Sequence, residues 1–252
     1  MPGFRARVIA PEPMAGSFCA IPHPSAVEIC AATGPDFLCL DGEHAPIGRE
    51  RCEEMIRAAQ LHRVPVIVRV PGHLSDSIAG VLDSGADGVL VPRISTAEEA
   101  RAAVAATRYP PQGVRGVGPG RAAGFGYGIP DYLASANDRI LLAVQAETPG
   151  ALENIDEIAA VEGLDMIFIG PGDLGVTLGA LGPKGRPRLT AAIKRITKAA
   201  HAAGKPVGIF CATGKEVRKW RALGISFFII ANDARHLGQA TTRSLEEARK
   251  GY

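Results

Sequence analysis

A single (β/α)8 barrel is the α/β architecture that this sequence predicts, on three observations: eight short apolar runs, helix start and stop signals between them, and a regular spacing. The chain has 252 residues, and 252/8 gives about 31 per unit, close to what a barrel of about 250 residues requires. An open doubly wound sheet is the rival architecture, but no GxGxxG turn follows the first apolar run.

The apolar runs are Ser17–Ala20, Phe37–Leu40, Val66–Val68, Val89–Val91, Leu141–Val144, Met166–Ile169, Val207–Phe210 and Phe227–Ile230. Their unbroken apolar character is that of strands covered on both faces, as in a parallel sheet lying beneath helices. Helical signals fill most of the gaps. Thr96 with Glu99 and Thr213 with Glu216 have capping-box spacing, Thr148-Pro149 puts proline at a first helical position, and Gly34, Gly85, Gly204 and Gly224 stand where helices end.

An internal echo supports the repeat: Gly34-Pro35-Asp36, Gly85-Ala86-Asp87 and Gly163-Leu164-Asp165 each precede a strand, with Gly224-Ile225-Ser226 a weaker fourth copy. Two glycine-rich stretches, Gly113 to Gly128 and Gly170 to Gly185, interrupt the rhythm and predict long loops, either functional or simply connecting. The expectation is one domain over residues 1–252 with a short N-terminal extension.

Composition excludes several functions. With 46% hydrophobic, 21% charged and 5% aromatic residues the chain is of ordinary globular type. Lys+Arg 28 against Asp+Glu 26 leaves a net charge of +2, too weak a field for nucleic acid. Five cysteines (Cys19, Cys30, Cys39, Cys52, Cys211) form no CxxC pair and suit a reducing cytoplasm. The N-terminus has no apolar signal region and no run of 18 apolar residues occurs, so neither secretion nor a membrane span is expected.

In a barrel of this kind the chemistry gathers at the C-terminal ends of the strands. That rule selects Asp41-Gly42-Glu43-His44, Arg69, Pro92-Arg93, Gln145 with Glu147, and Gly170-Pro171-Gly172-Asp173. Glu147 and Asp173 are 173 − 147 = 26 residues apart, close to one unit, so adjacent strand ends would bring them together. Two carboxylates without cysteine or a second histidine make an oxygen site for Mg2+, Mn2+ or Co2+, with water and substrate completing the shell. Alternatively Glu147 caps the next helix and Asp173 orders its glycine loop. His44, three residues after Asp41, is either a general base oriented by that carboxylate, with Asp83 adding to the relay, or an exposed loop residue. Arg69 ends a buried run and needs an anion, either Glu43 or a negative charge developing on a substrate. All seven lysines lie in the last third of the chain and none ends a strand in apolar surroundings, which argues against a Schiff base.

Three blocks, FLCLDGEHAPIGRE (37 to 50), LDSGADGVLVPRISTAEEARAAVAATRYPPQGVRGVGPGRAAGFG (82 to 126) and AVQAETPGALENIDEIAAVEGLDMIFIGPGDLG (143 to 175), resemble the HpcH/HpaI family of metal-dependent 2-oxo-acid aldolases, and the likeness runs from Gly16 to Leu237. The resemblance implies a (β/α)8 barrel in which a divalent metal (Mg2+, Mn2+ or Co2+) holds a pyruvate enolate that adds reversibly to an aldehyde, with no nucleotide cofactor. It implies that Glu147 and Asp173 are the metal ligands and that His44 is the base, tuned by Asp41 and Asp83. It further implies that Arg69 stabilises the enolate, that Gln145 contacts substrate, and that the backbone N–H groups of Gly172 and Asp173 bind the pyruvate carboxylate.

The same resemblance implies a homohexamer that exchanges its C-terminal helix, with the Gly113 to Gly128 loop, including Arg121, reaching a neighbouring site. This sequence departs from the family at Arg93, where methionine is common, at Gly172, often alanine, and at Ala231-Asn232-Asp233, near a usual Gly-Ser-Asp. Arg93 is a cation at the rim, available either to a second carboxylate on the aldehyde or to a helix acid. Two other functions compete: an acyl-CoA thioester lyase of the citrate lyase β or malyl-CoA type, and a non-catalytic, metal-binding oligomeric barrel.

Overall fold

Eight parallel strands close into a barrel in chain order, β1 pairing with both β2 and β8, in the computed structural model of the chain, which describes residues 2–251. The first half runs α1 (Phe4–Ile9), β1 (Met14–Cys19), α2 (Pro24–Ala32), β2 (Phe37–Asp41), α3 (Arg49–Leu61), β3 (Val66–Arg69), α4 (Ser75–Asp83), β4 (Gly88–Val91) and α5 (Ala97–Thr107). The second runs α6 (Ile129–Arg139), β5 (Leu141–Ala146), α7 (Pro149–Glu153), α8 (Ile155–Ala159), β6 (Met166–Ile169), α9 (Pro171–Thr177), α10 (Gly182–Ala202), β7 (Val207–Cys211), α11 (Val217–Arg221), β8 (Phe227–Asn232) and α12 (Asp233–Arg249).

Double burial is the physical reason that each strand reads as an unbroken apolar run. Met14, Phe37, Ile67, Leu141, Met166, Phe168 and Phe227 fill the barrel interior, while Leu38, Leu40, Val66, Val68, Val89 and Val144 face the helices. β1 starts at Met14, three residues before the run visible in the sequence, because Gly16 interrupts that run. A Cβ at Gly16 would collide with the Phe37 carbonyl and lie 2.9 Å from the Phe37 ring. The space lets Phe37 stack on Phe227 at 3.9 Å, and Phe4 of α1 closes over both from the N-terminal end, at 6.1 and 6.4 Å.

The aspartate echo has a shared mechanical role. Asp36 accepts a hydrogen bond from Ala15 N (2.9 Å), Asp87 from Val66 N (2.8 Å) and Asp165 from Leu142 N (2.8 Å). Each carboxylate, in the turn before an even strand, holds the start of the strand before it.

Thr96 and Glu99 form the expected capping box, and Thr148 caps α7 by accepting from Ala151 N. Thr213 and Glu216 do not, because a 3-10 turn over Gly214–Glu216 replaces the helical start. The stretch from Gly170 to Gly185 is mostly helical rather than a loop, since Pro171 and Pro183 sit in the first turns of α9 and α10, where proline is tolerated. The other stretch contains a 3-10 turn at Arg121–Gly126. Among the described residues no helix is long and apolar enough to cross a membrane.

Candidate active site

Asp41 ends β2 and Arg69 ends β3, and the parallel register sets them side by side. Arg69 Nε donates to Asp41 Oδ1 (3.1 Å) and Nη2 to Oδ2 (2.8 Å), a bidentate pair buried beneath the mouth of the barrel. Burial lowers the proton affinity of the guanidinium, but the bonds to Asp41 and its charge more than offset this and raise the Arg69 pKa. The guanidinium also lies 4.5 Å from the centre of the Phe18 ring and 3.2 Å, through Nη1, from Glu43 Oε2.

The chain must turn sharply after Asp41 for this to happen. Gly42 N donates to Arg69 O (2.8 Å), and a Cβ at Gly42 would stand only 2.7 Å from that oxygen. Asp41 Oδ1 also accepts from Glu43 N (3.3 Å) and His44 N (3.1 Å). Asp41 therefore orders the loop that carries His44, but its carboxylate is turned to Arg69 and to backbone, not to the imidazole. The carboxylate facing the ring is that of Glu43, with Oε2 3.7 Å from His44 Nε2, and the His44 side chain is 60% exposed at the mouth.

Asp83 is placed elsewhere. It closes α4, on the side of the barrel where strands begin, and accepts from Arg115 Nη2 at 2.6 Å. β2 and its loop put His44 beyond the opposite end, so within one chain Asp83 does not reach the histidine. Arg121 is at the same end as Asp83, donating to Ser84 O (3.0 Å) and Gln60 Oε1 (2.6 Å) of its own chain.

Glu147 lies just beyond β5 and is 1% exposed. It does not cap α7, which Thr148 does; its Oε1 accepts from Arg93 N (3.0 Å) and its Oε2 from Gln145 Nε2. Arg93 takes a left-handed conformation, φ 56°, to present that N–H, while its side chain is exposed. The sequence showed Arg93 only as a rim cation; its backbone contribution to Glu147 carries no side-chain signal. Burial pushes the Glu147 carboxyl up to about 7; Asp173 and Glu43 add to the rise, and the bonds from Gln145 and Arg93 oppose it. Asp173, exposed in the first turn of α9, is thus near enough for its charge to be felt. By helix geometry the first-turn N–H groups of Gly172 and Asp173 lack partners within α9.

Gly170 is what allows this packing. A Cβ there would collide with Glu147 Oε2 and stand 2.8 Å from Gln145 Nε2. Gly170→Ala is expected to leave a folded barrel whose affinity for Mg2+ or Mn2+ falls at least tenfold; calorimetric titration at wild-type affinity would refute this reading of the glycine.

The donor set fits a hard divalent ion. Glu147 and Asp173 would offer such an ion two oxygen ligands, water and substrate filling its remaining positions; among the described residues no group of three or more His, Cys, Asp or Glu is arranged for metal binding. Two buried acceptors, Gln145 Oε1 and Glu43 Oε2, have no hydrogen-bond donor. Such orphans are costly unless a ligand or hydrated ion supplies donors.

Stability should reveal the ion. The folded Glu147 pKa of about 7 stands above the usual 4.5, so the native state holds this proton more tightly than the unfolded chain. The contribution to stability is fully present below pH 4.5 and lost as pH rises through 7, about 3 kcal/mol in all. A divalent cation held by Glu147 and Asp173 would relieve the ionised pair, whereas below pH 7 it would have to displace the proton. The Tm gain on adding Mg2+ to EDTA-treated protein is therefore expected to be larger at pH 8 than at pH 6. An equal gain at both would refute it.

Fold and site together define a (β/α)8 barrel enzyme with a carboxylate pair, a buried arginine and an exposed histidine at its C-terminal mouth. The sequence profile of the HpcH/HpaI aldolase/citrate lyase family matches residues 15–240. A hydroxypyruvate/pyruvate aldolase of Deinococcus radiodurans is 42% identical over 94% of this chain and 86% of its own. A 5-keto-4-deoxy-D-glucarate aldolase of Shigella dysenteriae is 36% identical over 98% and 96%. A crystal structure of a family member from Burkholderia cenocepacia superposes with a TM-score of 0.91 at 35% identity, covering 97% of this chain and 98% of that one. The chain belongs to the HpcH/HpaI aldolase/citrate lyase family, and it is an aldolase, a carbon–carbon lyase.

Proposed function

We propose that this enzyme cleaves a 4-hydroxy-2-oxo acid reversibly to an aldehyde and pyruvate or a related 2-oxo acid such as hydroxypyruvate, the donor named for its Deinococcus relative. The observation that carries the reading is the buried Glu147 carboxylate, held by Gln145 and Arg93 N beside Asp173 and within reach of the charge of Glu43. A divalent ion held by Glu147 and Asp173, whether Mg2+, Mn2+ or Co2+, supplies Lewis acidity that draws electrons toward the 2-oxo group.

The chain's own groups do the rest. The first-turn N–H groups of Gly172 and Asp173 are donors for the substrate carboxylate. His44, exposed at the mouth, takes the C4 hydroxyl proton, directly or through water, as C4 becomes the aldehyde carbonyl. The C3–C4 bonding pair passes to the three-carbon fragment as an enolate, whose C3 then takes a proton to give the 2-oxo acid. Two of the five Arg69 N–H groups are bonded to Asp41, leaving both of Nη1 and one of Nη2 for the developing oxyanion. Asp41 holds Arg69 and the His44 loop in place.

The working form in this reading is a cytoplasmic homo-oligomer. Its support is α12, in which only Asp233 is buried while Leu237 and Leu245 are exposed; a monomer by light scattering at micromolar concentration would refute it.

The test of the activity is exchange of the pyruvate C3 protons into D2O, followed by NMR on EDTA-stripped protein. Exchange is expected to return with Mg2+, Mn2+ or Co2+. Its absence with every metal, in folded protein, would overturn the pyruvate reading, and saturable binding of acetyl-CoA would then favour thioester chemistry.

A further inference from the structure

Glu43 is a carboxylate at this mouth to which the mechanism above gives no role toward the ion. Its side chain is 12% exposed. The Arg69 Nη1 to Glu43 Oε2 approach of 3.2 Å is an ion pair whose N–H direction misses the oxygen, so Oε2 accepts no hydrogen bond. The nearby imidazole, at 3.7 Å, is also too far to donate one.

Gln145 repeats the pattern from the other side of the site. It is 2% exposed, its Nε2 is committed to Glu147, and its Oε1 has no donor. Reversing the amide would set an acceptor against the Glu147 carboxylate, so its orientation follows from that bond. Two buried acceptors are thus left open at the mouth, one on the side chain that holds Glu147 and one on the side chain beside Arg69.

We propose that Glu43, together with Gln145, accepts hydrogen bonds from the water ligands of the divalent ion, so that Glu43 is a positioning residue for the hydrated ion and the third negative charge of the site. This rests on the reading of Glu147 and Asp173 as the metal ligands. Water bound to a dication is a strong donor, which a carboxylate oxygen without a donor matches. Mg2+ in particular keeps several of its waters. Groups that orient bound ligands in this way typically carry 10–100-fold in metal affinity.

The test is an EPR titration with Mn2+ at pH 8, without substrate, on wild type, Glu43→Gln and Gln145→Leu, each checked for folding by thermal melting. Glu43→Gln keeps the size of the side chain and loses the charge. Both variants are expected to bind Mn2+ about tenfold more weakly, with a changed zero-field splitting of the bound ion at low temperature, which a merely structural role would leave alone. Wild-type affinity and an unchanged spectrum in folded Glu43→Gln would overturn the role given to Glu43. Failure of the unaltered protein to bind Mn2+ would overturn the metal centre itself, and the proposal with it.

Discussion

Glu147→Gln is expected to abolish metal-restored pyruvate C3 exchange, lowering its rate by about a thousandfold or more. The substitution is nearly isosteric, and its Oε1 can still accept from Arg93 N, as Glu147 does at 3.0 Å. What it removes is charge, together with an anionic ligand. Lewis-acid stabilisation of a developing enolate is worth several kcal/mol, and each 1.4 kcal/mol is about a factor of ten in rate. The effect should exceed the tenfold change in metal affinity expected of Glu43→Gln, because a ligand is lost rather than an acceptor for water. Exchange by NMR at saturating Mn2+ checks it. A rate within tenfold of wild type would move the chemistry away from β5.

The barrel was legible because burial on both strand faces leaves an unmistakable apolar run, and the runs recur at barrel spacing. The positions of Glu147 and Asp173 after neighbouring strands were legible for the same reason: they follow two such runs. What the sequence could not show was direction. Asp41 stands three residues before His44, a spacing that looks like an acid–histidine pair, yet the β2–β3 register puts Arg69 directly beside it, and a buried guanidinium outcompetes an exposed imidazole for a carboxylate. Glu43, read as a partner for Arg69, is also the carboxylate nearest the His44 ring. Asp83 was read as adding to the His44 relay, and the resemblance gave it the same role, but chain topology carries the end of α4 to the opposite side of the barrel. The glycine at 170 looked like part of a loop, whereas its meaning is a collision avoided with Gln145 and Glu147 at the end of the neighbouring strand β5.

Asp165→Asn is expected to cost the most stability of any single exchange at the N-terminal end of the barrel. Asp165 Oδ1 accepts from Arg5 Nη2 (2.7 Å), and Oδ2 from Arg108 Nη2 (2.9 Å) and Leu142 N (2.8 Å). One carboxylate thus ties α1, the end of α5 and the start of β5. Arg108 is 3% exposed, and its burial already lowers its pKa despite Asp165. With asparagine, one oxygen becomes a donor facing donors, and two guanidinium groups keep their charge without the carboxylate between them. Breaking a buried pair by removing one partner costs about 3–5 kcal/mol, which for a domain of this size corresponds to a Tm fall on the order of 10 °C. Because the site lies at the other end of the strands, the folded variant should retain exchange activity at low temperature. Combining the exchange with Arg108→Met removes the stranded charge, so the double variant should lose less than the sum of the two single ones. Additive losses, or a Tm within 2 °C of wild type for Asp165→Asn, would show that Asp165 does not bear this load.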